Sequence, residues 1–363
     1  MPSSRDYLSI DAPVNHSQDN LQGEHTCLFS VIMPVYNGEM YLESAVQSVI
    51  QQTMPAWELL IADDGSKDNS LAIAKKMAEK DSRIRVVQHP DGGNRGVSAT
   101  RNLAIGQARG EFLAMLDCDD VWLPGKLERD AEAISTYPGV VFLYSRAEVI
   151  DQHGVLMNHD HPALNRPAVF GTGTPGMLTD AFLNIMKKDI QIPTSTVVCR
   201  KEPALRSGGF DETTGDVEDT LLWYLVIEQG DLFFHDRVLV QYRIHEQSWN
   251  ALNREASKRM GRRLHLYTLL IERVTRDHRQ LVSRNLVFTG NKILIRNCLL
   301  YPWCRPALVI KKTGQALKNP SVHLRHKFLL IAWVFPSEII LLIPRLLKHV
   351  LFPARNVRGK HPR

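Results

Sequence analysis

Short apolar runs alternate with stretches of helical spacing along residues 28–145. The run 28–35 is apolar and β-prone and ends at Tyr36-Asn37-Gly38. Behind it, Leu42, Val46, Val49 and Ile50 recur at helical spacing within 39–52. A second apolar run, 57–62, ends at Asp63-Asp64-Gly65-Ser66, and 71–80 reads as helix. The pattern repeats with a strand over 83–88, a helix over 98–108 and a strand over 111–116. That last strand ends at Asp117-Cys118-Asp119-Asp120. Pro124 suits the first turn of a helix over 126–135, and 140–145 is a fifth strand.

Strands that alternate with helices of about ten residues predict an α/β fold, a parallel sheet with helices on both faces. Ligands of such sheets bind outside the carboxyl ends of the strands. Asn37, Asp63-Asp64 and Asp117, Asp119 and Asp120 all stand at such ends, so they are expected to line one crevice.

Residues 151–192 are irregular, rich in His, Pro and Gly, and read as loops over the crevice. A strand is expected over 194–199. Glu218-Asp219 opens a helix over 220–228, with Leu222, Leu225 and Val226 as its apolar face. Two strand-like pieces fill 232–244, and His245 follows. Beyond 254 the strand texture ends. The segments 254–281 and 287–300 look helical and basic, and 328–343 is the most hydrophobic stretch of the chain. The organisation expected is a loose polar tail over 1–26, a catalytic domain over 27–253 and a basic helical extension over 254–363.

Charge sharpens that division. Residues 1–253 carry 21 basic and 35 acidic side chains, whereas residues 254–363 carry 23 basic and only 4 acidic ones. An acidic body argues against nucleic acid as a substrate, while the basic tail asks for an anionic partner. Composition adds little more: 44% hydrophobic and 23% charged is that of a folded protein. The five cysteines are scattered and include no CxxC pair, which argues against a zinc site or a disulfide framework and favours a reducing compartment. Residues 1–26 lack the apolar core of a secretory signal.

Three acidic groups are candidates for chemistry. Carboxylates two apart on an extended segment point the same way, so Asp117 and Asp119 repel unless a cation holds them. Oxygen ligands of this kind suit Mg²⁺ or Mn²⁺ when phosphate oxygens complete the shell; the alternative is a solvated acidic turn. Asp64 can accept from a base N–H or a ribose hydroxyl, or else from the backbone in an Asx turn. Glu218-Asp219 either complements a helix N-terminus or supplies a general base. His245 is either a further metal or phosphate contact or a packed histidine. The glycines of Gly92-Gly93-Asn94-Arg95-Gly96 lack the GK[ST] ending of a P-loop and are read as turn formers.

Taken in order, Ser30-Val31-Ile32-Met33-Pro34-Val35-Tyr36-Asn37 and Ala62-Asp63-Asp64-Gly65-Ser66-Lys67-Asp68 resemble the start of glycosyltransferase family 2. Gly96-Val97-Ser98-Ala99-Thr100-Arg101-Asn102 and Leu116-Asp117-Cys118-Asp119-Asp120 continue the resemblance. So do Gly208-Gly209-Phe210-Asp211, Glu218-Asp219 and Tyr242-Arg243-Ile244-His245, and together these motifs span about residues 28–250. The resemblance implies a GT-A fold, a nucleotide-sugar donor, a divalent metal and inversion at the anomeric carbon. It implies that Pro34, Val35, Tyr36, Asn37 and Asp64 contact the nucleoside. By the same resemblance Asp117, Cys118 and Arg101 serve the donor, and Asp117 and Asp119, with Asp120 as a substitute, supply the Mn²⁺ or Mg²⁺ ligands, to which His245 is a candidate addition. Asp219, beside Glu218, is implied as the base. Processive synthases of the family carry QxxRW. Here Gln241-Tyr242-Arg243 occurs without an Arg-Trp pair, which favours transfer of a single sugar.

The apolar segment of the tail is too short and too interrupted to span. A spanning helix wants about 20 apolar residues, and Pro336, Glu338 and Pro344 break the region 328–352. A helix lying in an anionic membrane interface fits better, at the cytoplasmic face of the cell membrane. The reading is an inverting glycosyltransferase, with UDP-sugars as the first-choice donors, that acts on a hydroxyl of a glycan or lipid-linked acceptor in cell-surface polysaccharide or glycolipid synthesis. The alternatives are transfer to a polyprenyl phosphate, whose phosphate oxygen needs no base, or a catalytically silent membrane-bound partner.

Overall fold

The structure, a computed structural model, describes residues 27–157, 169–170, 175–178, 180–188, 192–215, 217–246 and 256–275, with 278, 279, 281, 282 and 285. The tail expected over 1–26, the helix expected over 287–300 and the apolar segment 328–352 lie outside the described residues.

Parallel pairing dominates one half of the sheet. Strands β1 (Phe29–Val35), β2 (Trp57–Asp63), β3 (Ile84–Gln88) and β4 (Phe112–Met115) run parallel in the order β3-β2-β1-β4. Next come β9 (Val198–Arg200), β6 (Val140–Ile150), β10 (Asp231–Arg243) and β5 (Val121–Trp122). Here the sheet turns mixed. β9 runs antiparallel to both β4 and β6, whereas β6 and β10 pair parallel. Two short strands, β7 (Val169–Phe170) and β8 (Gly176–Leu178), pair antiparallel with β6 and β10. The expectation of an α/β sheet therefore stands, with antiparallel strands added in its second half.

Helices cover both faces. On one side α1 (Leu42–Ile50), α2 (Ser70–Lys80) and α4 (Lys126–Thr136) bury apolar residues against Val31, Met33, Leu59 and Ile61. On the other, α3 (Val97–Gln107), α5 (Ala181–Lys188), α6 (Lys201–Arg206) and α7 (Glu218–Ile227) pack over Ile32, Leu60 and Leu113. Cover on both faces explains why β1 and β2 are buried along their whole length and mostly apolar instead of alternating. Helix α1 buries Leu42, Ala45, Val46 and Val49, one stripe at helical spacing. Helix α7 has no such stripe. All of Leu221, Leu222, Trp223, Tyr224, Leu225, Val226 and Ile227 are buried, so the one-sided face expected there is incomplete.

Four local expectations are corrected. Within 151–192 the chain forms β7, β8 and α5 as well as loops. The strand expected over 194–199 divides into a 3-10 turn, Thr194–Thr196, and β9. The two pieces expected over 232–244 are one strand, β10, bent by register shifts between His235 and Val240. Pro124 precedes α4 instead of opening it, because left-handed Gly125 (φ 79°) is the N-cap.

The packed body also continues past residue 253. Helix α8 (Ala256–Arg273) buries Leu266, Tyr267, Leu270 and Ile271 in the cluster that holds α7. Glu228, just past the end of α7, accepts from Thr275 and His278 beyond α8. Among the described residues no helix is long and apolar enough to cross a membrane.

Candidate functional site

The carboxyl ends of β1, β2 and β4 lie side by side on one edge of the sheet. Val35 pairs with Asp63, and the Val35 carbonyl accepts the Asp64 N–H at 2.8 Å. Pro34 and Val35 are buried in β1, while Tyr36 is half exposed. Asn37 adopts a left-handed φ of 51°. Its N–H donates to Ser66 Oγ at 3.1 Å and its Oδ1 accepts the Lys67 N–H at 2.8 Å. The loops after β1 and β2 are thereby stitched together.

Asp64 accepts from backbone N–H groups, but from those of a distant loop and not in an Asx turn. Its Oδ1 accepts the Arg95 N–H at 2.7 Å and its Oδ2 the Gly96 N–H at 3.0 Å. It anchors the glycine-rich loop. Gly65 has to follow it, because φ is +72° and a Cβ there would stand 2.8 Å from the Gly92 carbonyl oxygen. The neighbouring Asp63 is the less committed carboxylate. Its Oδ2 accepts from Gln88, but its Oδ1 is buried without a hydrogen-bond partner.

The turn after β4 carries the acidic loop, and its members diverge. Asp117 Oδ1 accepts from Arg101 Nη2 at 2.8 Å. Asp119 Oδ2 lies 3.0 Å from His245 Nε2. Asp120 is buried, and both its oxygens are engaged, one by Ser195 Oγ and one by the Arg243 N–H at 2.8 Å. Cys118 packs its sulfur against Gly38, where a Cβ would come within 2.9 Å. Arg243 clasps the loop from the end of β10. Its Nε donates to the Asp119 carbonyl at 2.7 Å while its guanidinium lies 4.8 Å from the Tyr41 ring centroid. Tyr41 in turn faces the His245 ring at 4.9 Å.

Arg101 joins this loop to α7. Buried on α3, it donates to Asp117 and, at 3.3 Å, to Glu218 Oε1. Asp219 stands beside Glu218 in the first turn of α7, where the helix dipole favours negative charge. Its Oδ1 accepts from the N–H and hydroxyl of Thr220, and its Oδ2 from Thr194 Oγ1 at 2.9 Å.

So many carboxylates around one guanidinium disturb their own ionisation. Burial raises Asp117, with Arg101 opposing and Asp119 adding to the rise. Burial and the charges of Asp119 and Asp117 push Asp120 well above the usual carboxylate range. Burial and Asp219 bring Glu218 to about 7 against the pull of Arg101. Burial, with all three loop carboxylates, lifts the Cys118 thiol far up, so it stays protonated and inert as a nucleophile.

Among the described residues no three His, Cys, Asp or Glu side chains are grouped so as to hold a metal by themselves. The Asp119–His245 pair is a two-donor set of oxygen and nitrogen. Such a pair fits a cation that keeps waters and takes phosphate oxygens as its other ligands. Asp120, with both oxygens bound to protein, serves as a brace for the turn. Thr194, Ser195, Tyr41 and Arg243 were not singled out from the sequence. Only Arg243 carried a signal, its place in the Tyr242–His245 motif.

Residues 30–195 match the family model described as glycosyl transferase family 2. A curated relative from Escherichia coli, UDP-Glc:alpha-D-GlcNAc-diphosphoundecaprenol beta-1,3-glucosyltransferase WfgD, is 36% identical over 129 residues, which cover 36% of this chain and 49% of that one. The chain spans about half the length of the curated relatives it matches. In fold it is similar to S. aureus TarS 1–349 in complex with UDP-GlcNAc, with a TM-score of 0.58, 19% identity and 83% of each chain covered. The mannosyltransferase PcManGT from Pyrobaculum calidifontis, in complex with GDP-Man and Mn2+, aligns with a TM-score of 0.50 and 15% identity over 87% of each chain. The motif order and the matched segment agree, and residues 30–195 carry a glycosyl transferase family 2 domain.

Proposed function

We propose that this protein is an inverting glycosyltransferase that moves one sugar from a nucleoside-diphosphate sugar to a hydroxyl of a glycan or lipid-linked acceptor. The observation that carries the reading is the convergence of two acidic sets on Arg101. Asp117 comes from the end of β4 and Glu218-Asp219 from the start of α7, and one buried guanidinium touches both sets.

Inversion needs a single displacement, and so one base and one leaving-group site on opposite sides of the sugar. Asp219 is the base. Its Oδ2 keeps a lone pair beyond the Thr194 hydrogen bond, and that lone pair takes the acceptor proton. On the donor side, Pro34, Val35, Tyr36 and Asn37 wall the nucleoside pocket, with Asp63 and its open Oδ1 beneath and Asp64 holding the adjoining loop. Arg101, held by Asp117, sets positive charge beside the diphosphate. Asp119 and His245 would hold Mn²⁺ or Mg²⁺, which would supply positive charge to neutralise the leaving diphosphate.

The relatives' printed activities support this reading. One names a UDP-glucose donor and a lipid-diphosphate acceptor, and the solved folds hold UDP-GlcNAc and GDP-Man. UDP is the first nucleotide to try. The basic segment 254–363 supports an anionic membrane surface as the place where a lipid-linked acceptor is met.

The test is a thermal-shift panel of UDP, GDP, dTDP and CMP and their sugars, each with Mn²⁺ and with EDTA. A ligand at 100 times its Kd stabilises by about 2.7 kcal/mol. A shift with one nucleotide that EDTA abolishes is the expected result, and folded protein that responds to none would overturn the reading. Asp219→Asn is expected to lower kcat by at least about 10²-fold with nucleotide binding intact. A near-normal rate in that variant would point to a phosphate acceptor, which needs no base.

A further inference from the structure

Two adjacent hydroxyls, Thr194 and Ser195, reach from one buried turn to the two separate acidic sets. Thr194 Oγ1 donates to Asp219 Oδ2 at 2.9 Å. Ser195 Oγ donates to Asp120 and accepts the Asp117 N–H at 3.1 Å. The Ser195 carbonyl also accepts the Trp122 indole N–H at 2.8 Å, just past the acidic loop. No other described residue is hydrogen-bonded to both Asp117 and Asp120.

The turn is itself held firmly. Pro193 enters it at φ −64°, and Thr196 folds back on the Pro193 carbonyl through both its N–H at 3.0 Å and its hydroxyl at 2.7 Å. The Val197 carbonyl then accepts the Met115 N–H at 2.9 Å, which docks the turn onto β4. Thr194, Ser195 and Thr196 are all buried.

We propose that the Thr194–Ser195 turn is the positioning element of the site. Thr194 orients the Asp219 carboxylate, Ser195 orients the acidic loop, and their adjacency fixes one against the other. The inference rests on the reading of Asp219 as the base. With Oδ1 pinned by Thr220 and Oδ2 by Thr194, the carboxylate cannot rotate about its last bond. Removal of the Thr194 hydroxyl frees that rotation. A misplacement of about 1 Å at a reacting group costs about 10²-fold in rate. Thr194 makes no hydrogen bond to the acidic loop, so the loss falls on turnover and not on donor affinity. Ser195 has the opposite bias.

The experiment compares Thr194→Val, Thr194→Ser and Ser195→Ala with wild type. Turnover is read with whichever of UDP-glucose, UDP-GlcNAc and GDP-mannose the wild type consumes, and affinity with the matching nucleotide and Mn²⁺ by calorimetry. Thr194→Val should lose about 10- to 100-fold in kcat with nucleotide affinity unchanged. Thr194→Ser, which restores the donor, should recover most of that rate. Ser195→Ala should weaken nucleotide affinity or raise the donor KM. Equal losses in the Val and Ser variants, or a Val variant with normal kcat, would overturn the proposal and leave the base assignment intact. A wild type that turns over no nucleotide sugar would overturn both.

Discussion

Burial and the neighbouring Asp219 lift the Glu218 carboxyl to about 7, against the pull of Arg101. The same acid in the unfolded chain ionises near 4.5. Between about 4.5 and about 7 the folded protein therefore holds a proton that the unfolded chain has lost. Stability must fall as pH rises through that window, because the native state binds more protons. Glu218→Gln keeps an acceptor for Arg101 and removes the titration. The expected outcome is a wild-type Tm that declines across the window relative to the variant. Parallel Tm curves for the two proteins would show that Glu218 does not titrate there. Asp117, Glu218 and Asp219 all act on one guanidinium, and keeping one of the three neutral limits the repulsion.

Helix α4 meets β10 through a buried polar triad outside the candidate site. Lys126 Nζ lies 2.8 Å from Asp130 Oδ2, and His235 Nε2 lies 3.0 Å from Asp130 Oδ1. Lys126 also lies 4.6 Å from the centroid of the Trp122 ring, whose indole N–H reaches Ser195. Burial by itself would push Asp130 up, but Lys126 and His235 outweigh it and hold the carboxyl below its usual range. That contribution to stability is present above the unfolded pKa and is lost as pH falls through the folded one. Asp130→Asn leaves Lys126 buried without its counter-charge and should cost about 3–5 kcal/mol in chemical denaturation. The pair replacement Lys126→Met with Asp130→Leu should cost much less, and a loss below about 1 kcal/mol in the single variant would show that the pair is not needed. None of this was legible in the sequence. A helix over 126–135 gives no sign that Lys126 and Asp130 are buried, and His235 reaches Asp130 from a strand far along the chain. The legible features had a local cause. Apolar runs that end in Asn37, Asp63-Asp64 and Asp117 marked strands with polar carboxyl ends, and those ends do lie side by side. The roles at these ends were less legible, because Asp64 and Asp120 look like ligand-binding acids until backbone N–H groups from residues 31 and 123 positions away are found on them. Thr194 and Ser195 had no signal, since a hydroxyl acts there only through contacts made by the fold.

At the scale of the whole chain, charge and packing divide the molecule at different places. Charge changes sign near residue 254, yet the hydrophobic body runs on through α8 to Val282. Leu266, Tyr267, Leu270 and Ile271 each contribute about 1.5–3 kcal/mol by burial against α7 and its neighbours. Helix α7 carries Glu218-Asp219 at one end, and Glu228 just past its other end is tied to Thr275 and His278. Loss of α8 would therefore expose apolar side chains of α7 and loosen the helix that carries Asp219, the proposed base. A chain that ends after residue 253 should fail to unfold cooperatively. A chain that ends after residue 290 should keep both its melting transition and its nucleotide response. It should no longer sediment with anionic phosphatidylglycerol vesicles, because the segment 328–352 and most of the basic residues beyond α8 are gone. Vesicle binding undiminished by that cut would remove the membrane role from the apolar segment. A cooperative melt of the shorter chain with a normal nucleotide shift would show that α8 is not needed by the catalytic body. If both expectations hold, α8 belongs to the enzyme and only the chain beyond it belongs to the membrane. The base and the membrane contact would then be linked through a single packed helix.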